Sequence, residues 1–191
     1  TGQSSMAKSI EMTAKRFCDE FLNHFDYCSQ ASCLLVGNVQ SGKTGQILGL
    51  ISVAADMDFS IFVILTTDNV LLQQQTLDRV RQSLPDYCVC GEDDSVAFER
   101  NNGILPSIIV LKKNARTLRR WEKTFLTSRV AEGNPLFIID DEADAASLNA
   151  KVNEQDISTI NKHIAAIRQD ASSSIYLEVT GTPQSIFLQT K

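Results

Sequence analysis

The sequence has few of the residues that hold small or fibrous proteins together. Nine glycines and four prolines in 191 residues are too few for a collagen-like or low-complexity chain. Two histidines and five cysteines occur without a Cys-x-x-Cys pair, so we predict reduced thiols and no structural metal. No apolar run approaches the roughly 18 residues of a membrane-spanning helix, and the N-terminus lacks a signal-peptide layout. We therefore expect a cytoplasmic protein that contacts no membrane.

The charge and the length limit the function classes further. Lys and Arg number 18 against 23 Asp and Glu, and the formal net charge is −5, so the chain as a whole is not an electrostatic nucleic-acid clamp. At roughly 150 residues per domain, the length fits one domain with additions. We expect residues 1–32 to be an N-terminal segment that contains a leading helix, and residues 33–191 to form one domain.

Apolar patterning predicts strands that alternate with helices. Phe17, Phe21 and Phe25 recur at helical spacing in a predicted helix over 6–27. Short, almost wholly apolar runs are typical of strands buried on both faces. Such runs lie at 33–36, 60–65, 107–111, 136–140 and 174–180. Helices are predicted between most of them, whereas 86–104 is predicted to be a long surface loop. The alternation predicts an α/β fold with a parallel sheet of about five or six strands and helices on both faces.

A glycine-rich segment follows the first predicted strand. Residues 37–44 (Gly-Asn-Val-Gln-Ser-Gly-Lys-Thr) fit the pattern G-x-x-x-x-G-K-[ST] before a predicted helix. In this pattern the backbone curls so that its N–H groups point at phosphate oxygens, aided by the N-terminus of the helix. We expect Lys43 to reach the β- and γ-phosphates and Thr44 to bind Mg²⁺. The predicted nucleotide contacts in this segment are Gly37, Gln40, Ser41, Gly42, Lys43 and Thr44.

A group of carboxylates follows the strand at 136–140. The carboxyl ends of parallel strands form the ligand-binding edge of a sheet, and the glycine-rich segment lies at that same edge. A Mg²⁺-bound nucleotide needs one carboxylate near the metal and a second to polarise the attacking water. We predict that Asp141 holds the metal and that Glu142 activates the water. A register slip of one residue would make Asp140 the metal partner instead.

The order of three motifs resembles a known family. The phosphate loop, Asp141-Glu-Ala-Asp144 and Thr180-Gly-Thr-Pro183 resemble the first RecA-like domain of superfamily-two (DEAD-like) helicases. More specifically, four segments, three of which include these motifs, are similar to a bacterial family labelled as endonucleases of restriction and phage-conflict systems. They are Val39–Thr44, Ile139–Asp144 with Ser147–Asn149, Ser158–Asn161 and Thr180–Gln184. The resemblance covers about residues 33–189.

The resemblance implies a RecA-like P-loop fold and a Mg²⁺-dependent ATPase of helicase or translocase type, linked to DNA restriction or phage defence. It implies ATP and Mg²⁺ as cofactors, and it makes Thr180 and Thr182 sensors of the γ-phosphate. It also implies that the remainder of a longer protein supplies a second RecA-like domain, which closes the ATP site and helps to bind nucleic acid, DNA more than RNA. We therefore expect the isolated chain to bind nucleotide but to hydrolyse it poorly.

The chain departs from these families in three places. Residues 66–72 (Thr-Thr-Asp-Asn-Val-Leu-Leu) differ from the Pro-Thr-Arg-Glu-Leu-Ala of DEAD-box RNA helicases. The glutamine motif that reads adenine is not evident, with Gln30 as a candidate. Pro85-Asp86 is followed by no Glu-x-Lys, so we predict no nucleic-acid cleavage by this chain.

Basic residues are concentrated after the strand at 107–111. Six of the 18 fall within twelve positions: Lys112, Lys113, Arg116, Arg119, Arg120 and Lys123. On a helix, the last four share one face, and Trp121 lies on the other, where it is predicted to be core. The basic face is either a solvated surface or a salt-sensitive contact with a phosphate backbone. The family resemblance favours a nucleic-acid contact through Lys113, Asn114, Arg116, Arg119 and Arg120.

Two other functions remain open. A self-contained small-molecule kinase or GTPase would also carry a phosphate loop, but a GTPase usually carries Asn-Lys-x-Asp, and residues 161–164 read Asn-Lys-His-Ile. A nucleotide-regulated interaction module would bind ATP without motor activity.

Overall fold

In the computed structural model, the described residues are 2–36, 42–141 and 154–181. Within them, strands and helices alternate along the chain. The strands are β1 (Gln30–Val36), β2 (Ile61–Thr66), β3 (Cys88–Cys90), β4 (Ser107–Lys112), β5 (Pro135–Asp141) and β6 (Ser173–Thr180). The helices are α1 (Gly2–Glu20), α2 (Lys43–Asp56), α3 (Val70–Ser83), α4 (Ser95–Asn101), α5 (Ala115–Ser128) and α6 (Glu154–Gln169).

The strands form one parallel sheet in the order β1-β6-β5-β2-β4-β3. Helices α1, α2 and α3 contribute to the core on one face, and α4, α5 and α6 contribute to the core on the other. The central strand β2 is buried at all of its positions, as expected where helices cover both faces. The predicted α/β fold with a parallel sheet is confirmed, and it is consistent with a RecA-like arrangement.

Helix α1 packs closely along α2 because α2 presents glycines to it. A Cβ at Gly49 would lie 2.7 Å from Cγ2 of Ile10, and a Cβ at Gly45 would lie 2.8 Å from its Cδ1. Further along α1, the ring of Phe17 stacks on Phe137 of β5, with 5.8 Å between centroids. The leading helix thus contributes to the same core as the sheet.

The predicted surface loop at 86–104 is wrong. Cys88–Cys90 form the edge strand β3, which pairs with β4, and Ser95–Asn101 form helix α4. Phe98 of α4 is fully buried, with ring contacts to Trp121 and Phe125. A strand of three residues is too short to show an apolar pattern in the sequence. Helix α4 buries one aromatic side chain, Phe98, and the residues on either side of the helix are typical of a loop.

None of the helices in the described ranges is both long and apolar enough to cross a membrane.

Candidate functional site

Three neighbouring strands end level with one another at one edge of the sheet. Val36 at the end of β1 pairs with Thr180 of β6, and Val179 pairs with Asp141 at the end of β5. We call this the carboxyl edge. Because adjacent strands lie about 4.8 Å apart, β1 and β5 are separated by about 10 Å, with the end of β6 between them. The fully buried Thr180 therefore lies between the strand that leads into the phosphate loop and the strand that ends in carboxylates.

The last residues of the G-x-x-x-x-G-K-T segment begin helix α2. The other end of α2 lies near the start of β1, where Tyr27 donates a hydrogen bond to the carbonyl of Met57, so the helix begins toward the carboxyl edge. Gly42 precedes the helix with φ +72°, a left-handed conformation that side chains rarely adopt. A Cβ there would also collide with the end of the Met6 side chain from α1. Lys43 and Thr44 form the first turn of α2 and are half-buried. The unpaired N–H groups and the dipole of a first helical turn favour an anion at this position.

The alternation of side chains along β5 separates its two aspartates. Ile139 belongs to the core beneath α2, and Ile138 belongs to the core beneath α5 and α6. Since successive side chains point to opposite faces, Asp141 shares the face of α2, and Asp140 lies on the other face. The carboxylate of Asp140 is already occupied, because it accepts hydrogen bonds from Lys113 and Tyr176. Of the two aspartates, only Asp141 therefore lies on the face of the sheet that α2 covers.

The described members of the predicted site lie at the carboxyl edge or at the start of α2, which follows it. They are Gly42, Lys43, Thr44, Asp141 and Thr180. The other members lie outside the described residues, and their roles stay predictions. They are Gly37, Gln40, Ser41, Glu142 and Thr182.

Gln30 lies away from this site. It is the first residue of β1, and its Nε2 donates a hydrogen bond to the carbonyl of Arg168, 3.3 Å away. Six residues of strand at about 3.3 Å each place it roughly 20 Å from the carboxyl edge. Gln30 therefore lies at the end of β1 opposite to the carboxyl edge.

Several of the predicted nucleic-acid contacts have partners inside the protein. The ammonium of Lys113 lies 2.8 Å from Oδ1 of Asp140. Asn114 caps α5 by accepting a hydrogen bond from the Thr117 amide, and its Nδ2 donates to Asp68. The contacts with Asp140 and Asp68 depend on which strands are neighbours, so the local sequence contains no signal for them, whereas an Asn directly before a helix is a local capping signal.

The charge of the basic face of α5 is partly neutralised by the segment between β3 and α4. Arg120 forms an ion pair with Asp93 at 2.9 Å and donates a hydrogen bond to the carbonyl of Glu92. Arg116, Arg119 and Lys123 are exposed and form no ion pair within the described part of the chain. The opposite face is core, as predicted, with Trp121 fully buried.

The cysteines do not form a metal site with other described residues. No cluster of three or more His, Cys, Asp or Glu side chains suited to a metal ion occurs among the residues that the structure describes. Burial, followed by the charge of Glu178, raises the pKa of Cys33 to about 12. Burial, followed by the neighbouring Cys88, raises the pKa of Cys90 to about 12 as well.

We expect these two thiols to resist alkylation. The thiolate is the reactive form, and a pKa of about 12 leaves Cys33 and Cys90 almost fully protonated at pH 8. With iodoacetamide at pH 8, we expect the exposed Cys28 to be modified at least about 100-fold faster than Cys90, as measured by mass spectrometry of peptides. Equal rates at Cys28 and Cys90 would contradict the buried position of Cys90.

A scan of the sequence against protein-family models finds no match, and a search of curated proteins finds none either. The family resemblance therefore stays a prediction from motifs.

Proposed function

We propose that this chain binds ATP and Mg²⁺ at the carboxyl edge. The observation that carries the proposal is the coincidence of three features there: the start of α2 after a G-x-x-x-x-G-K-T segment, the buried Thr180 and the strand-end Asp141. Each feature supplies a different requirement of a bound nucleotide. In this proposal the helix N-terminus and Lys43 hold the phosphates, Thr44 and Asp141 hold Mg²⁺, and Thr180 with Thr182 senses the γ-phosphate.

The same residues support a Mg²⁺-dependent ATPase in which Glu142 activates the attacking water. The order of the motifs favours the first RecA-like domain of a helicase- or translocase-type protein, cytoplasmic and associated with DNA restriction or phage defence. A second RecA-like domain in the remainder of a longer protein would complete the ATP site, and hydrolysis without it would be slow.

A nucleotide titration tests the proposal. A fluorescent ATP analogue is added to the 191-residue protein with Mg²⁺ and then competed with unlabelled ATP and with GTP. We expect saturable binding to one site and displacement by ATP. Absence of saturable binding at millimolar nucleotide would overturn the proposal, and preferential displacement by GTP would overturn the assignment of ATP.

The exposed part of the basic face supports a contact with nucleic acid. Arg116 and Arg119 are exposed, and neither has an ion-pair partner in the described ranges, so Arg116→Glu with Arg119→Glu should weaken DNA binding without breaking internal contacts. If each arginine neutralises one phosphate, the slope of log affinity against log salt should fall by about 1.8 on duplex DNA. Fluorescence anisotropy at several salt concentrations measures both quantities.

A double variant on other helices is the matched control. Arg79 of α3 and Arg100 of α4 are also exposed, and Arg79→Glu with Arg100→Glu makes the same change in net charge. If both double variants reduce the salt slope equally, the effect is one of overall charge, and the basic face of α5 is not the contact.

A further inference from the structure

A buried polar cluster lies behind the proposed metal partner, on the opposite face of β5. Asp140 is only 3% exposed, and its carboxylate accepts three hydrogen bonds. Nζ of Lys113 donates to Oδ1 at 2.8 Å and to Oδ2 at 3.0 Å, and the hydroxyl of Tyr176 donates to Oδ2 at 2.6 Å. Burial, followed by the charge of Asp140, raises the pKa of Tyr176 far above its usual range, so its hydroxyl remains a donor at neutral pH.

The cluster connects strands that are not all neighbours in the sheet, because β2 separates β4 from β5. Lys113 follows β4, Asp140 is in β5, and Tyr176 is in β6. Because β2 lies between β4 and β5, the side chain of Lys113 crosses the end of β2 to reach Asp140. The backbone N–H of Lys113 donates a hydrogen bond to the carbonyl of Thr66, the last residue of β2. Four adjacent strands, β6, β5, β2 and β4, are thus joined by Lys113, Asp140 and Tyr176.

The cluster continues toward the strand that leads into the phosphate loop. The guanidinium of Arg168 lies 5.7 Å from the centre of the Tyr176 ring. Its Nη2 donates to the carbonyl of Ala31 in β1 at 2.9 Å, and its Nε donates to Oγ of Ser174 in β6. Tyr176 is therefore held on one side by Asp140 and on the other by a residue anchored to β1.

The stability of the fold does not explain why the charged pair Lys113–Asp140 occurs at this position. A buried ion pair stabilises a fold no better than apolar side chains of similar size, and the other residues of β5 on this face, Leu136 and Ile138, are apolar. The pair occurs one residue before Asp141, where the direction of a carboxylate decides whether it reaches Mg²⁺. Metal sites commonly depend on residues that orient their ligands, at about 10- to 100-fold in metal affinity.

We propose that Asp140, Lys113 and Tyr176 are positioning residues for Asp141. Held by three hydrogen bonds, Asp140 fixes the backbone at the end of β5, which directs the carboxylate of Asp141 to the face of the sheet that α2 covers. The ammonium of Lys113 then serves the metal site from within the protein and does not contact nucleic acid. The inference rests on the proposed function, because the orientation of Asp141 matters only if its carboxylate binds Mg²⁺.

The variant Tyr176→Phe tests this with little disturbance, since it removes one hydrogen bond and keeps the ring beneath Arg168. Affinity for the fluorescent ATP analogue is measured against Mg²⁺ concentration and again in EDTA. We expect the Mg²⁺ concentration for half-maximal effect to rise about tenfold, with Mg²⁺-free affinity unchanged. Tyr27→Phe is the matched control, because it removes a hydroxyl bonded to the carbonyl of Met57 near the amino end of β1, and both quantities should stay unchanged.

A second pair of variants distinguishes a role in orienting Asp141 from a role in stabilising the fold. Lys113→Arg keeps a positive charge beside Asp140, so it should retain most of the effect of Mg²⁺ on ATP affinity. Lys113→Met removes the charge and should lose most of that effect. Equal losses of affinity with and without Mg²⁺ in Tyr176→Phe would indicate a merely structural role and overturn the inference, as would an unchanged Mg²⁺ requirement. If Mg²⁺ has no effect on nucleotide binding by the unmodified protein, the proposed metal site itself is wrong, and the inference falls with it.

Discussion

Replacing Lys43 with alanine is expected to weaken ATP binding by about 100-fold. Lys43 is the first residue of α2, directly after the left-handed Gly42, and its half-buried side chain lies where the helix begins. A hydrogen bond between a charged donor and a phosphate contributes about 1.5 kcal/mol or more, so losing contacts to two phosphates costs about 3 kcal/mol. Titration with the fluorescent analogue measures the change.

The control for this variant is Lys15→Ala. Lys15 is exposed on α1, so its replacement makes the same chemical change away from the carboxyl edge, and it should leave the affinity unaltered. Circular dichroism and thermal unfolding establish that both variants are folded. An unchanged affinity in Lys43→Ala would show that this segment does not hold phosphates.

Replacing Glu142 with glutamine is expected to abolish hydrolysis while ATP stays bound. Glutamine has nearly the shape of glutamate but cannot accept the proton of the attacking water, and loss of a general base typically costs about 10²- to 10⁴-fold in rate. Because the isolated chain is expected to turn over slowly, the rate is best measured as a single turnover of bound ATP. Affinity for ATP should change by less than about threefold, since Glu142 is assigned no contact that holds the ground state.

Glu132→Gln supplies the control, because Glu132 is exposed before β5, at the amino end of the strand, and pairs with Arg129. Its single-turnover rate should equal that of the unmodified protein. Undiminished hydrolysis by Glu142→Gln would remove Glu142 from the mechanism. Tight ATP binding with no hydrolysis by a protein that includes a second domain would favour the nucleotide-regulated interaction module.

Much of the fold could be predicted because a parallel sheet covered on both faces needs strands that are apolar throughout. Runs such as 60–65 and 107–111 therefore stand out without any alternation. The edge strand Cys88–Cys90 was missed because it has three residues and pairs on one side only. The spatial order of the strands has no local signal, and the insertion of β6 between β1 and β5 depends on contacts distant in sequence.

The candidate site divides in the same way. A G-x-x-x-x-G-K-[ST] pattern is local, so residues 37–44 can be singled out from spacing alone, and their role as a phosphate loop stays a prediction. The sequence favours Asp141 but leaves Asp140 open, because β5 is apolar on both faces and its sequence does not show which side chain faces α2. The pairing of Lys113 with Asp140 was equally hidden, since it exists only once β4 and β5 are placed on either side of β2.

Amide hydrogen exchange with and without ATP and Mg²⁺ tests the central claim most directly, because it shows where the nucleotide binds. We expect exchange to slow at the start of α2 and at the carboxyl ends of β5 and β6, and to stay unchanged at the amino end of β1. The slowing should disappear in Lys43→Ala. Unchanged exchange at saturating ATP and Mg²⁺, or protection confined to the opposite edge of the sheet, would contradict a nucleotide site at the carboxyl edge.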